Sequence, residues 1–166
     1  NGIFFWDTAD QYGTHAHAKE ALKTVPREKV TILSKTHAST EKEMRADLDR
    51  FRRELGSDYI DILLLHRPDA LMEPAEVAHA FTRLKAAGKV AHLGVSNMHA
   101  GQMGWLQTAL PEPLVVNQLE LSLAKLDAID AQLEKLQSSI DVTEARKYLE
   151  QARSAATANQ ALDVRK

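Results

Sequence analysis

The residues of this sequence that can do chemistry stand at the ends of short apolar runs. Asp7 closes Ile3 to Asp7, Lys35 follows Lys29 to Ser34, and His66 follows Tyr59 to Leu65. Ser96 and Asn97 follow Val90 to Val95, and Gln118 and Glu120 stand near the end of Leu114 to Leu121. Tyr12 lies in Thr8 to Gly13, the polar stretch just past the first run. A carboxylate, an amine, an imidazole, a phenol and amides are parts for acid–base chemistry that needs no metal. Taken singly, each has an ordinary explanation. Asp7 can cap a turn, Lys35 can be a solvated rim charge, His66 can serve its loop, and Tyr12 can pack with its hydroxyl in water. Recurrence at every run points to a site, because accidents do not respect topology.

Such convergence requires the runs to be parallel strands whose carboxyl ends share one rim. Tyr59 to Leu65 is nearly continuous apolar sequence, as in a strand buried on both faces. Between the runs lie helical patterns. Ala16 to Val25 is a modest one, ended by Pro26. Thr40 and Glu43 form a capping box ahead of Met44, Leu48, Phe51 and Leu55, and Gly56 stops that helix. Pro74 opens another through Val77, Phe81 and Leu84, with Gly88 at its C-terminal end. Met98 to Ala109 is helical despite Gly101 and Gly104. Strand and helix alternate with connections too long for hairpins, which demands right-handed parallel crossovers and sets the class as α/β. The alternation then stops. Leu126, Ile129, Leu133, Leu136 and Ile140 follow a three-four spacing, and Asp141 and Glu144 start a second stripe through Ala145, Leu149, Ala152 and Ala156.

Composition excludes several functions. The 21 basic and 23 acidic residues nearly cancel, so no summed field would hold nucleic acid or an anionic membrane. Cysteine is absent, which removes disulfides and thiolate metal sites and fits a reducing compartment, with the cytoplasm as default. No apolar run approaches the roughly 20 residues of a membrane span. His15 and His17 flank Ala16 on an expected surface helix and face apart, so no metal pair is expected there. His37, His79, His92 and His99 read as ordinary polar residues. Arg45, Arg50, Arg52 and Arg53, balanced by Glu41, Glu43, Asp47, Asp49 and Glu54, read as a solvated helix face.

The motifs also match a known family. Asp7-Thr8-Ala9-Asp10-Gln11-Tyr12-Gly13 resembles the first signature of the aldo-keto reductases. Ser34-Lys35-Thr36 resembles the family's lysine strand and Leu64-Leu65-His66-Arg67-Pro68-Asp69 its histidine strand. Gly94-Val95-Ser96-Asn97 and Asn117-Gln118-Leu119-Glu120 are similar to its nicotinamide-binding strands. Single short motifs recur by chance; matches in order at strand ends do not. The phrase Leu64 to Asp69 is most similar to the bacterial monomeric oxidoreductases of the family. This resemblance implies hydride transfer from NADPH to the carbonyl of an aldehyde or ketone. It implies that Tyr12 protonates the carbonyl oxygen, Lys35 assists it, Asp7 holds Lys35 and contacts the nicotinamide ribose, and His66 orients the carbonyl. Ser96, Asn97 and Gln118 would bind the carboxamide.

The resemblance covers Ile3 to Leu123. A complete barrel of this kind has eight strands and about 250 residues. The runs here correspond to the second through sixth strands, so the others are expected to lie outside this sequence, beginning with a segment upstream. With them would go the aromatic ring that stacks on nicotinamide and the basic residues that grip the 2′-phosphate. Lys125, Lys135, Arg146, Lys147, Arg153, Arg165 and Lys166 lack that strand-and-loop setting. The expected organisation is a partial (β/α)8 barrel over residues 1–123 and an all-helical tail over 124–166. That tail, a hairpin or coiled coil, would cover the open sheet or pair with a second copy. Two functions follow: a carbonyl reductase acting on a small molecule, or a non-catalytic half-barrel that self-associates through its tail or senses a nucleotide. For a substrate pocket only Trp6, His37 and the stretch after Pro68 are available.

Overall fold

Strands β1 (Phe5–Asp7), β2 (Thr31–Thr36), β3 (Ile60–Leu65), β4 (Val90–Ser96) and β5 (Asn117–Gln118) lie side by side in sequence order, every neighbouring pair parallel. The computed structural model describes residues 2–120, 123–136 and 143–163. It divides into two units, Asn1–Leu119 and Glu120–Lys166. In the first, a helix follows each of the first four strands: α1 (His15–Ala21), α2 (Glu41–Leu55), α3 (Pro74–Ala86) and α4 (Ala100–Ala109). This is the strand–helix alternation that the periodicity demands, arranged as a partial barrel.

Alternation along each strand sends side chains to two faces. Ile32, Leu63, Leu65, Leu93 and Val95 join Met44, Leu48, Phe51 and Leu55 of α2 and Val77, Phe81 and Leu84 of α3 in one buried cluster. Leu33 and Leu64 are equally buried but stand outside that cluster, on the inner face with Lys35. Burial on both faces explains the nearly continuous apolar run in β3, which only Asp61 interrupts. Each such leucine or phenylalanine contributes about 1.5–3 kcal/mol. The sheet is curled: Gln118 Nε2 on the last strand donates to Asp7 Oδ2 on the first at 2.9 Å. Below that bridge Phe5, Ile62, His92, Val115 and Val116 line a cavity of about 360 Å3, again joining first and last strands.

Local signals set most boundaries. Thr40 Oγ1 accepts from Glu43 N at 3.3 Å, which caps α2 and forms one half of the expected box; the Glu43 carboxylate accepts from the Thr40 hydroxyl at 2.9 Å instead of from its backbone N–H. Gly56 ends α2 in the left-handed region at φ 66°. The α1 helix stops at Ala21, short of the expected Val25, and the chain runs on through turns to Pro26. The α4 helix is opened by a capping box between His99 and Gln102 that the sequence reading omitted. Regular pairing in β5 is confined to Asn117–Gln118, shorter than Leu114 to Leu121, although Val115 N already donates to Leu93 O at 2.9 Å. Leu121 lies outside the described residues.

The second unit holds α5 (Leu123–Leu136) and α6 (Thr143–Asp163), which pack on one another. Arg153 pairs with Asp127 at 2.7 Å and Arg146 with Asp130 at 3.2 Å across that pair. Ile140, Asp141, Arg165 and Lys166 fall outside the described residues, as do the side chains of Leu133, Lys135, Leu136, Glu144 and Ala156. Among the described residues no helix is long and apolar enough to cross a membrane.

Candidate active site

Parallel register brings the strand-end residues to one rim. Asp7 stands opposite Leu33, two residues before Lys35, so both side chains occupy the inner face of neighbouring strands. Lys35 is 1% exposed; its ammonium donates to Asp7 Oδ1 and, at 3.0 Å, to Thr8 O. A buried ammonium requires such partners, since charge without compensation is expelled from an apolar interior. The other Asp7 oxygen accepts from Gln118, so one carboxylate ties three strands together.

Past β1 the chain turns sharply. Thr8 N donates to Leu33 O, a short 3-10 turn covers Asp10–Tyr12, and Gly13 at φ 65° takes a conformation that side chains resist. This turn swings the Tyr12 ring back over the rim, where it stays half exposed. Lys35 Nζ lies 4.9 Å from the ring centroid. The His66 ring meets it edge-on at 5.7 Å between centroids. Asp7, Tyr12, Lys35 and His66 are thus brought together from three separate strand ends.

His66 N donates to Thr36 O at 2.9 Å, which fixes the chain just beyond β3. Burial, and then the positive charges of His37, Lys35 and Arg67, push its imidazole below the ordinary histidine value, with Asp7 opposing. The ring is therefore neutral at neutral pH. Its Nδ1 is buried and lacks a hydrogen-bond partner among the described residues, leaving a polar atom that a bound group can satisfy. The His37 ring packs against it at 4.5 Å between centroids. His37, one of the residues available for a substrate pocket, is therefore part of this cluster.

Ser96, Asn97 and Gln118 form a second polar group at the ends of β4 and β5. Ser96 Oγ donates to Gln118 O at 3.0 Å, while Asn97 Nδ2 donates to Ser96 Oγ at 2.9 Å and to His66 O at 3.2 Å. Asn97 takes φ 60°, which asparagine tolerates better than most side chains. Their amide nitrogens are committed, but the oxygens Asn97 Oδ1 and Gln118 Oε1 have no partner among the described residues. Two amide acceptors beside the Tyr12 cluster fit the donor end of a carboxamide. Glu120, the remaining strand-end residue, pairs with Lys125 at 2.7 Å within the second unit.

Three expectations need correction. Trp6 is no pocket residue: it packs on the helix-side core and donates to Ile3 O at 3.1 Å, because its parity along β1 is opposite to that of Asp7. His15 is not on a solvated surface but is 4% exposed, bonded to Glu54 and Ser34. The α2 face at Arg50 is not simply solvated: besides the expected Asp47 and Glu54, Arg50 also pairs with Asp10 outside the helix. Partners up to 40 positions away in sequence decide these last two, beyond the reach of helical spacing.

The chain is similar to known proteins in sequence and fold. A sequence profile of the aldo/keto reductase family matches residues 1–150. The chain is 39% identical over 148 residues to the uncharacterized oxidoreductase YcsN of Bacillus subtilis, covering 76% of this chain and 49% of that protein. It is 41% identical over 140 residues to oxidoreductase YdhF of Escherichia coli, covering 73% of this chain and 47% of that one. Among solved structures, an aldo-keto reductase (AKR2E5) complexed with NADPH superposes with a TM-score of 0.67 at 26% identity, over 79% of this chain and 46% of that chain. The chain spans about half the length of the curated relatives it matches.

Proposed function

Because the chain belongs to the aldo/keto reductase family, we propose that it carries the proton-donating half of a site that reduces the carbonyl of an aldehyde or ketone with NADPH. What carries this proposal is the Tyr12 ring 4.9 Å from the Lys35 ammonium, with the His66 ring against its edge. When bound, NADPH supplies the hydride that reaches the carbonyl carbon. The proton is the protein's task. Tyr12 Oη donates it to the carbonyl oxygen as the C–H bond forms, and the phenolate left behind is stabilised by the Lys35 ammonium. Asp7 holds Lys35 in place. His66, neutral, gives the carbonyl oxygen a second contact without putting another cation beside Lys35. Since Tyr12 is half exposed, water returns its proton. Asn97 Oδ1 and Gln118 Oε1 are the acceptors that would hold the carboxamide N–H groups, and Asp7 would hold the ribose.

Titrating the purified chain with NADPH by fluorescence, then following NADPH oxidation with a generic aldehyde, tests this. Saturable binding and turnover that vanishes in Tyr12→Phe are expected. Binding with no turnover, and no difference between the chain and Tyr12→Phe, sinks the proposal. A second reading is a non-catalytic half-barrel that senses a nucleotide or self-associates through the packed pair α5 and α6. Under that reading light scattering gives an oligomer and aldehyde leaves bound NADPH unoxidised.

A further inference from the structure

A chain of charged side chains that the proposed chemistry does not use joins α2 to both halves of the Tyr12–Lys35 pair. Arg50 Nη2 donates to Asp10 Oδ1 at 2.7 Å and to Asp47 Oδ1 at 2.9 Å, and Nη1 donates to Glu54 Oε1 at 3.3 Å. Glu54 Oε2 lies 2.6 Å from His15 Nδ1, and His15 Nε2 lies 3.0 Å from Ser34 Oγ. Asp10 opens the turn that carries Tyr12, and Ser34 is the residue before Lys35. One continuous path, Asp10–Arg50–Glu54–His15–Ser34, therefore runs from the phenol's turn to the lysine's strand.

The order carboxylate, imidazole, hydroxyl within it is that of a hydrolytic relay. Ser34 is 0% exposed, however, so no substrate can reach its hydroxyl, and what the path transmits is position. Its members are strongly held. Burial alone would push the Glu54 carboxyl up, but hydrogen bonds from His15 and Arg50 outweigh it and keep the group below the ordinary range. Burial likewise opposes charge on Arg50, and the bonds to Asp10 and Asp47 override it. Charge-assisted bonds of this kind are short and directional, and the planar guanidinium fork fixes the angle between its partners. The start of the turn is held at Thr8, whose N–H donates to Leu33 O at 2.9 Å and whose carbonyl accepts from Lys35; nearer the phenol Tyr12 N bonds Ala9 O at 3.2 Å and the Thr8 and Thr14 hydroxyls meet at 2.6 Å. The Tyr12 hydroxyl itself has no partner among the described residues.

We propose that Arg50 and His15 are positioning residues that register the Tyr12 turn against β2, setting the phenol over the Lys35 ammonium. This rests on Tyr12 and Lys35 being the proton-donating pair, and the test separates the two ideas. The full chain is labelled with fluorotyrosine, and its three tyrosine lines are followed by fluorine NMR, Tyr12 being assigned with Tyr12→Phe. Lys35→Met is expected to shift the Tyr12 line. In Asp10→Asn and Arg50→Met the Tyr12 line broadens or splits, and the further shift caused by Lys35→Met shrinks, a coupling that a double-mutant cycle reads directly. Arg50→Lys, which keeps the charge but not the fork, recovers part of that shift. The line of Tyr59, whose ring lies 4.0 Å from the Arg27 guanidinium, stays in place and reports an intact fold. Should Arg50→Met move Tyr59 as well, Asp10→Asn decides, since it cuts only the outermost link. An unaltered Tyr12 line in Asp10→Asn that keeps its full response to Lys35→Met overturns the positioning role alone. A Tyr12 line that ignores Lys35→Met in the parent chain overturns the proton-donating pair and the positioning role with it.

Discussion

At Lys35 an ammonium group almost wholly out of water is held by one carboxylate and one backbone carbonyl, and the consequences of neutralising either partner differ. Asp7→Asn leaves the cation in place without its countercharge, so it should destabilise the fold by about 1–3 kcal/mol. The lower part of that range applies because the Asp7 side chain is 41% exposed and water can partly replace it. Lys35→Met removes the buried charge and leaves a hydrated carboxylate, so it should cost less stability while abolishing turnover. Urea unfolding of the two variants checks the order, and an Asp7→Asn chain as stable as the parent contradicts it. Turnover itself should fall about a hundredfold or more in Tyr12→Phe, the usual effect of losing one donor to a developing oxyanion. His66 supplies a pH signature. Its imidazole is held below the ordinary value of about 6.5, so above that pH the folded and unfolded chains bind the same protons there. Below it the unfolded chain takes up a proton first, and stability drains away as pH falls toward the lowered folded value. Urea midpoints at descending pH should drop more steeply for the parent than for His66→Gln; parallel curves would count against a depressed imidazole. The strand-end positions of Asp7, Lys35 and His66 were legible in the sequence because strand alternation and run lengths are local. The burial of His15 and the bond from Arg50 to Asp10 were not, because they are made by partners far along the chain.

Among the elements, β4 and β5 depend on a glycine whose reason is invisible in one dimension. A Cβ on Gly94 would stand 2.6 Å from Leu64 Cδ2 and from the backbone oxygen of Val116. The leucine can rotate, but the backbone oxygen cannot move without carrying β5 outward, and β5 is the strand that delivers Gln118. Gly94→Ala should therefore destabilise by about 1–3 kcal/mol, as overpacking does. It should also weaken NADPH binding more than Ala109→Gly, a change of similar size at the half-buried C-terminal end of α4. Equal affinities in calorimetric titrations would show that β5 does not hold the carboxamide. The same close approach explains why the pattern from Leu114 onward reads as a longer strand than forms. Val115 and Val116 are hydrogen-bonded to β4, yet regular pairing begins only at Asn117. Helix limits were easier to read, because Gly56 and Pro74 act on the backbone where they stand, whereas the His99–Gln102 cap has no common signature.

For the molecule as a whole, what distinguishes a partial barrel from an open sheet is whether its first and last strands meet. A flat five-stranded sheet would separate them by four interstrand spacings of about 4.8 Å, roughly 19 Å. Here Gln118 and Asp7 are in hydrogen-bond contact, and Phe5 and Val115 line one cavity. The curl is functional under the proposed chemistry, since it sets the carboxamide acceptors beside the Asp7–Lys35 pair. It was implied in the sequence only by resemblance to barrel proteins, because residue patterns set strand order but not the angle between neighbours. The chain has no cysteine, so Phe5→Cys and Val115→Cys introduce its only thiols and take spin labels without background. Their distance distribution should be narrow and well short of the flat-sheet span. Gln118→Ala, which removes the polar bridge between the end strands, should broaden it toward longer distances. If the labelled parent already gives the flat-sheet distance, the rim residues do not converge in solution, and the donor pair and the carboxamide acceptors cannot serve one reaction.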